Sequence, residues 1–128
     1  MKLFSFGCDG GSTSGVTGFW IIELKNWFSI VLLKFNEGTR ENYHSHAFNA
    51  WTWFLWGSVE EQHLHGRSVC WKPSLYPKYT TKDTFHRVKA IQTTYALSIR
   101  GPWDNTWKEY DPQKQQFIQL THGRKQVN

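Results

Sequence analysis

Cysteine is scarce in this chain, long apolar runs are missing, and the glycine-rich segment near the start lacks a lysine. Each absence removes a class. The 128 residues hold two cysteines, Cys8 and Cys70, in no metal-ligand or redox spacing, so both are expected as reduced thiols. No apolar run approaches the roughly 20 residues that a membrane-spanning helix needs. Residues Met1 to Phe6 alternate like a strand and then enter glycines, unlike a signal peptide, so the expected location is the cytoplasm. Gly7 to Gly18 carries five glycines together with Ser12, Thr13 and Ser14. A phosphate-binding loop would require Gly-x-x-x-x-Gly-Lys-Ser/Thr, and without the lysine the segment reads as a surface loop or loose lid. Concentrated basic charge is missing too. The formal charge is +5, but the basic residues are scattered apart from Arg124 and Lys125, so general solubility is preferred over an anionic partner as its reason.

What the sequence does have is aromatic weight: 17% of residues, with eight tryptophans. Val, Ile, Thr, Phe, Tyr and Trp dominate its patterned segments, which favours strands. Strands are expected over residues 2–6, 19–25, 27–35, 44–56, 59–64, 67–72, 84–90, 93–100 and 106–110, with a tight turn or bulge at Asn26. Residues 84–90 and 93–100 read as an antiparallel pair across Ile91-Gln92. Only the region from Pro112 to Gln119 reads as a short helix. Many short strands at regular spacing, with no repeat or linker, indicate one all-β domain, a sandwich or barrel. Most tryptophans are expected to fill its core or outer interface rather than to stack on a ligand.

The chemistry-bearing stretch is Gly38 to His46, which ends in His44-Ser45-His46. Two histidines one residue apart point the same way along an extended backbone and can share one divalent metal. His86, in a strand-like segment, can complete the set. If His44 and His46 face inward, then Phe48, Ala50, Thr52, Phe54 and Trp56 share that face unless a bulge intervenes. Trp51, Trp53 and Leu55 point outward, and an outer face so apolar calls for a cover: a second sheet, an extra N-terminal strand or another subunit, as in a homodimer. His63 and His65 have the same spacing, but Gly66 marks an exposed turn there.

With these residues in view, the chain resembles the cupin superfamily. The first cupin motif runs Gly, five residues, His-x-His, three or four residues, Glu, six residues, Gly. Gly38, His44, His46 and Gly57 fall in register, with Ala50 in the place of the glutamate. His86 matches the histidine of the second motif, whereas Thr81 and Asp83 stand where a proline and a glycine are usual. The overlap covers about residues 27–100. The sequence is more closely similar to a group of small cupin-like proteins of phages and bacteria, through His44-Ser45-His46, Trp51 to Trp56, Gly57, Glu60-Glu61, His86-Arg87-Val88, Gly101-Pro102 and Trp107. The resemblance implies an all-β, single-domain cupin (jelly-roll) barrel with its core at about residues 19–111.

It also implies a metal site at His44, His46 and His86. The expected ion is Fe(II), with Mn(II), Ni(II) and Zn(II) as alternatives. Glu41 or Glu60 is a stand-in for the missing acidic ligand. An all-histidine set is similar to that of the thiol dioxygenase branch, implying a metal-dependent oxygenase acting on a small molecule. Thr52, Phe54 and Trp56 would line the substrate wall. Tyr95 or Arg100 would reach the substrate, although their opposite parity lets only one face inward on a regular strand. Two other classes stay open. One is a non-enzymatic protein that sequesters an anionic, nucleotide-like ligand, using tryptophan faces and Arg40, Arg67, Arg87 and Arg100. The other is a metal-independent sugar epimerase or isomerase, with His44 or His86 as base and Asp83, Glu60 or Tyr95 as partner.

Overall fold

Alternation of apolar and polar residues places one face of each strand in a core, and the cross-strand register carries that pattern across the sheets. The computed structural model describes residues 2–9, 15–38, 43–64, 66–111, 113–121 and 125–127. In chain order the strands are β1 (Lys2–Cys8), β2 (Val16–Leu24), β3 (Phe28–Phe35), β4 (Ala50–Trp56), β5 (Val59–His63), β6 (Ser68–Trp71), β7 (Lys78–Thr80), β8 (His86–Ala90), β9 (Thr94–Arg100), β10 (Thr106–Asp111), β11 (Gln116–Thr121) and β12 (Lys125–Gln126). They form a six-stranded sheet in the order β1-β2-β3-β9-β4-β7 and two three-stranded sheets, β6-β5-β8 and β10-β11-β12. The fold is an all-β jelly roll, as the sequence leads one to expect. Its main core packs Val16, Trp20, Val31, Leu33, Phe35, Phe54 and Ala96 of the large sheet against Val59, Val88, Ala90 and Trp71 of the β6-β5-β8 sheet.

The inward face of the large sheet is layered. At one end it is apolar, where Gly18, Leu33, Ala96 and Phe54 stand abreast on β2, β3, β9 and β4. Two residues along, Trp20, Val31, Ser98, Thr52 and Lys78 form the next row. The row beyond that contains Glu23, Ser29, Arg100, Ala50 and Thr80, all buried. One half of the interior is therefore hydrocarbon, and the other holds polar and charged groups that need partners. The second half is where the histidines lie.

Four expectations need correcting. First, residues 84–90 and 93–100 do not form a hairpin: β8 pairs with β5, and β9 lies between β3 and β4. The Ile91-Gln92 turn thus carries the chain from one sheet to the other, so two adjacent strand-like runs need not pair with each other. Second, no strand runs unbroken from His44 to Trp56. Residues 43–49 are irregular apart from the bridges that His44 makes to His86 and Glu109, and β4 begins at Ala50. Third, the register shifts between Phe54 and Trp56, a bulge that reverses the facing of the residues after it. Fourth, the C-terminal region is a hairpin rather than a helix. Asp111 Oδ1 accepts hydrogen bonds from the backbone N–H groups of Gln113 and Lys114 at 2.9 and 3.3 Å, and Gln115 has φ of 53°. A side-chain-capped turn with a left-handed residue reverses the chain into β11.

Candidate metal centre

The backbone that carries the histidines is held from both sides. His44 N–H donates to the His86 carbonyl at 2.9 Å, and His86 N–H donates back to the His44 carbonyl at 3.0 Å. On the far side Ser45 N–H donates to the Lys108 carbonyl at 2.8 Å, while Ser45 Oγ accepts from Lys108 N–H at 3.1 Å. Ser45 is buried toward β10, so alternation turns His44 and His46 together toward β8. The three imidazoles form a compact triangle, with ring centroids 4.7, 5.0 and 5.2 Å apart. One ligand nitrogen from each lies within 4.8 Å of the others.

The residue that sequence reasoning missed is Glu61. It lies on β5, only 2% exposed, and one of its carboxylate oxygens accepts from Lys78 Nζ at 2.8 Å and meets His86 Nδ1 in a short contact. The other oxygen accepts from Trp71 Nε1 at 3.1 Å and lies 3.3 Å from His63 Nε2. The partners of this carboxylate decide its charge. Burial pushes its pKa up, but the hydrogen bond from His86 and the adjacent Lys78 ammonium outweigh that and hold it well below the usual carboxylate range. It is an ionised acceptor.

That charge fixes the His86 tautomer. Burial first, then the neighbouring His44 and Lys78, lower the His86 pKa to about 4 against the opposing pull of Glu61. His86 is therefore neutral at pH 7, with its one proton on Nδ1, donated to Glu61. Nε2 keeps a lone pair, which faces His46 Nε2 at 3.0 Å. Burial, followed by the charges of His44, His86, Arg100 and Lys78, lowers the His46 pKa as well. Neutral imidazoles are what a divalent ion requires of its ligands. The 3.0 Å separation also suits two nitrogens about 2.1 Å from one ion at a right angle. The donor set fits a metal. A ligating histidine whose other nitrogen is tied to a carboxylate is the usual supporting arrangement around such ions.

The other residues singled out from the sequence divide. Phe54 is buried in the core, Thr52 sits in the inward row beside Ser98 and Lys78, and Arg100 is 4% exposed with Nη2 on Asp9 Oδ2 at 2.7 Å. The Arg100 guanidinium lies over the Phe48 ring at 4.7 Å, and that ring is 5.2 Å from His46. Trp56 and Tyr95 are paired across β4 and β9 on the outward face, so neither lines the interior. The bulge explains Trp56, and alternation from buried Arg100 explains Tyr95. Glu60 points away from the histidines and accepts from Gln62 at 2.8 Å; Glu41, Arg40 and His65 lie outside the described residues. Ala50 leaves the usual acidic position empty of charge, and its row neighbours are Arg100 and Thr80. Among the described residues the arginines do not converge: Arg67 is exposed, and Arg87 donates to Gln62 at 2.6 Å and stacks on Tyr43. Asp83 is exposed. The signal that finds Glu61 is parity on β5, where it shares a face with Val59 and His63 and opposes Glu60.

The sequence matches no protein family profile and no curated protein. Its fold does match solved structures. It is similar to the polyketide cyclase RemF from Streptomyces resistomycificus, at a TM-score of 0.67 and 14% identity over 79% of this chain and 75% of that one. A sugar phosphate isomerase of a cupin superfamily from Silicibacter pomeroyi gives a TM-score of 0.63 and 11% identity, over 89% of this chain and 76% of that one. Ectoine synthase from P. lautus gives a TM-score of 0.62 and 14% identity, over 70% and 66%. Identities this low establish the fold and nothing further.

Proposed function

Because the chain has the cupin fold, we propose that it is a metal protein whose divalent ion is held by His44, His46 and His86 and which acts on a small anionic molecule. The observation that carries this reading is the donor set. Three imidazoles converge, and one of them is tied through Nδ1 to a buried carboxylate. The imidazoles bring no charge, Glu61 is offset by Lys78, and Arg100 is offset by Asp9. A divalent ion there keeps its full charge, which favours an anionic ligand at its remaining positions. Imidazole donors suit Fe(II), Mn(II), Ni(II) and Zn(II), and Fe(II) is our first choice. When bound, such an ion supplies Lewis acidity and, if redox-active, the electrons of an oxygenase reaction. The chain's own residues orient and shield. Glu61 fixes the ring of His86, Phe48 and Phe54 close the apolar side, and Thr52 and Ser98 offer hydroxyls from the inward row.

The test is elemental analysis of the full chain purified without added metal, followed by titration with each ion. Near-stoichiometric binding that is lost in His46→Ala supports the reading. No bound metal and no gain in thermal stability with any of the four ions would sink it. Oxygen consumption with small thiols and carboxylic acids then separates an oxygenase from a protein that only sequesters its ligand, since the latter returns the ligand unaltered after denaturation.

A further inference from the structure

The side of the large sheet facing away from the histidines carries more apolar surface than a monomer usually leaves in water. Cross-strand register assembles it into rows. Leu3, Ile22, Ile30, Ile99, Trp51 and Tyr79 stand side by side across all six strands. One pleat along, Phe6, Phe19, Leu32, Leu97 and Trp53 do the same across five. Neither row contains a charge. The Phe54–Trp56 bulge adds Trp56 to this face beside Tyr95, and Thr17 and Lys34 border it.

Seven of these side chains (Leu3, Phe6, Leu32, Trp51, Trp56, Tyr79 and Tyr95) are between 39% and 75% exposed. Side chains of this size present about 150–250 Å² each, so the seven leave roughly 800 Å² of mostly apolar area open. The largest apolar patch on a typical monomer is about 300–600 Å². A stable protein–protein interface buries about 800 Å² on each partner. The face has the size that one such interface needs.

We propose that this face is the dimer interface of the protein, covered by the same face of a second copy. A partner recognised by charge would need fixed charges on the patch to read, and the two rows offer none. A pleated apolar surface with its polar groups at the border is complementary to itself, which is the requirement of a two-fold contact. The two sheets would pack face to face about 10 Å apart, with strands inclined by about 30°. Leu32 and Leu97, central in their row, would lie near the axis. The histidines face the opposite way, so the inference stands independently of any metal.

Sedimentation equilibrium of the full chain over a hundred-fold range of concentration tests it. The expected mass is twice the 15.1 kDa of the chain. Leu32→Glu and Trp51→Glu should each weaken self-association at least a hundred-fold, with far-UV circular dichroism unchanged. Ile91→Glu, on the turn between β8 and β9, should leave the dimer intact. Hydroxyl-radical footprinting of the unaltered chain should protect Trp51, Trp56, Tyr79 and Tyr95 as concentration rises, which decides the matter even if a variant fails to fold. A monomer at every concentration overturns the proposal. So does a dimer that persists in both folded variants, or footprinting protection that appears only with neutral phosphatidylcholine vesicles.

Discussion

At the scale of single residues, the chemistry of the site depends on one carboxylate and one imidazole. Glu61 holds the proton of His86 at Nδ1 and turns Nε2 toward His46. Glu61→Gln keeps the size but removes the charge, and metal affinity measured by calorimetry should fall about 10–100-fold, as for other carboxylates that support a metal-bound histidine. The same change leaves the Lys78 ammonium, 8% exposed, without its counter-charge. The metal-free protein should lose on the order of 3 kcal/mol in urea unfolding. An unchanged affinity would remove Glu61 from the site. His46→Ala should abolish binding outright.

The pH dependence comes from the same groups. His46 and His86 are held below the ordinary histidine value of about 6.5, so below that pH the unfolded chain binds more protons than the folded one. Stability is then present at pH 7 and is lost as the pH falls, with the His86 share fully lost only below about 4. Glu61, also held low, adds to the loss once the pH drops below the ordinary carboxylate range. The urea midpoint of the metal-free chain, measured with a chelator, should be flat above pH 7 and decline steadily through pH 6 and 5. A midpoint that stayed constant down to pH 5 would mean that these imidazoles are solvated.

At the scale of elements, turns and bulges decide which faces strands present. Gly57 ends β4 with φ of +89°, and a Cβ there would lie 2.5 Å from both the Thr93 carbonyl and Thr94 Oγ1. Gly57→Ala should therefore cost on the order of 3 kcal/mol, from backbone strain and overpacking together, read as a lower urea midpoint. Gln115 is the opposite case, a non-glycine at φ of 53°, and Gln115→Gly should be neutral or stabilising by up to about 1 kcal/mol. Parity read from the histidine pair places Phe48, Ala50 and Phe54 inward, as found. It fails at Trp56 because one extra residue in β4 reverses facing, and nothing local in Phe54-Leu55-Trp56 announces it. The Pro112–Gln119 segment reads as helical by composition, yet the Asp111 side chain and the residue at Gln115 turn it into a hairpin. Capping of that kind competes with helix formation and is hard to weigh from residue types alone.

At the scale of the whole molecule, the interior is divided between hydrocarbon and polar rows, and a bound ion would complete the polar half. An ion at a hundred times its dissociation constant stabilises the folded state by about 2.7 kcal/mol. Differential scanning fluorimetry should then show a rise in Tm of roughly 10 °C for the preferred metal, and no rise in His46→Ala. Among the described residues no helix is long and apolar enough to cross a membrane.

By itself the sequence determined most of the strands and the paired facing of His44 and His46, because a two-residue period is a property of the local backbone. It also carried His86 into the same set, through the spacing of a resemblance. Only the tertiary structure decided which carboxylate serves the site. Ala50 leaves its own position without charge, and Glu61 reaches His86 because β5 and β8 pair across 25 residues of chain. That pairing depends on the Ile91-Gln92 turn passing between sheets rather than closing a hairpin. Long-range pairing also set the two apolar rows abreast on the outward face. Contacts of this kind are chosen by how whole sheets pack, and no local pattern contains them.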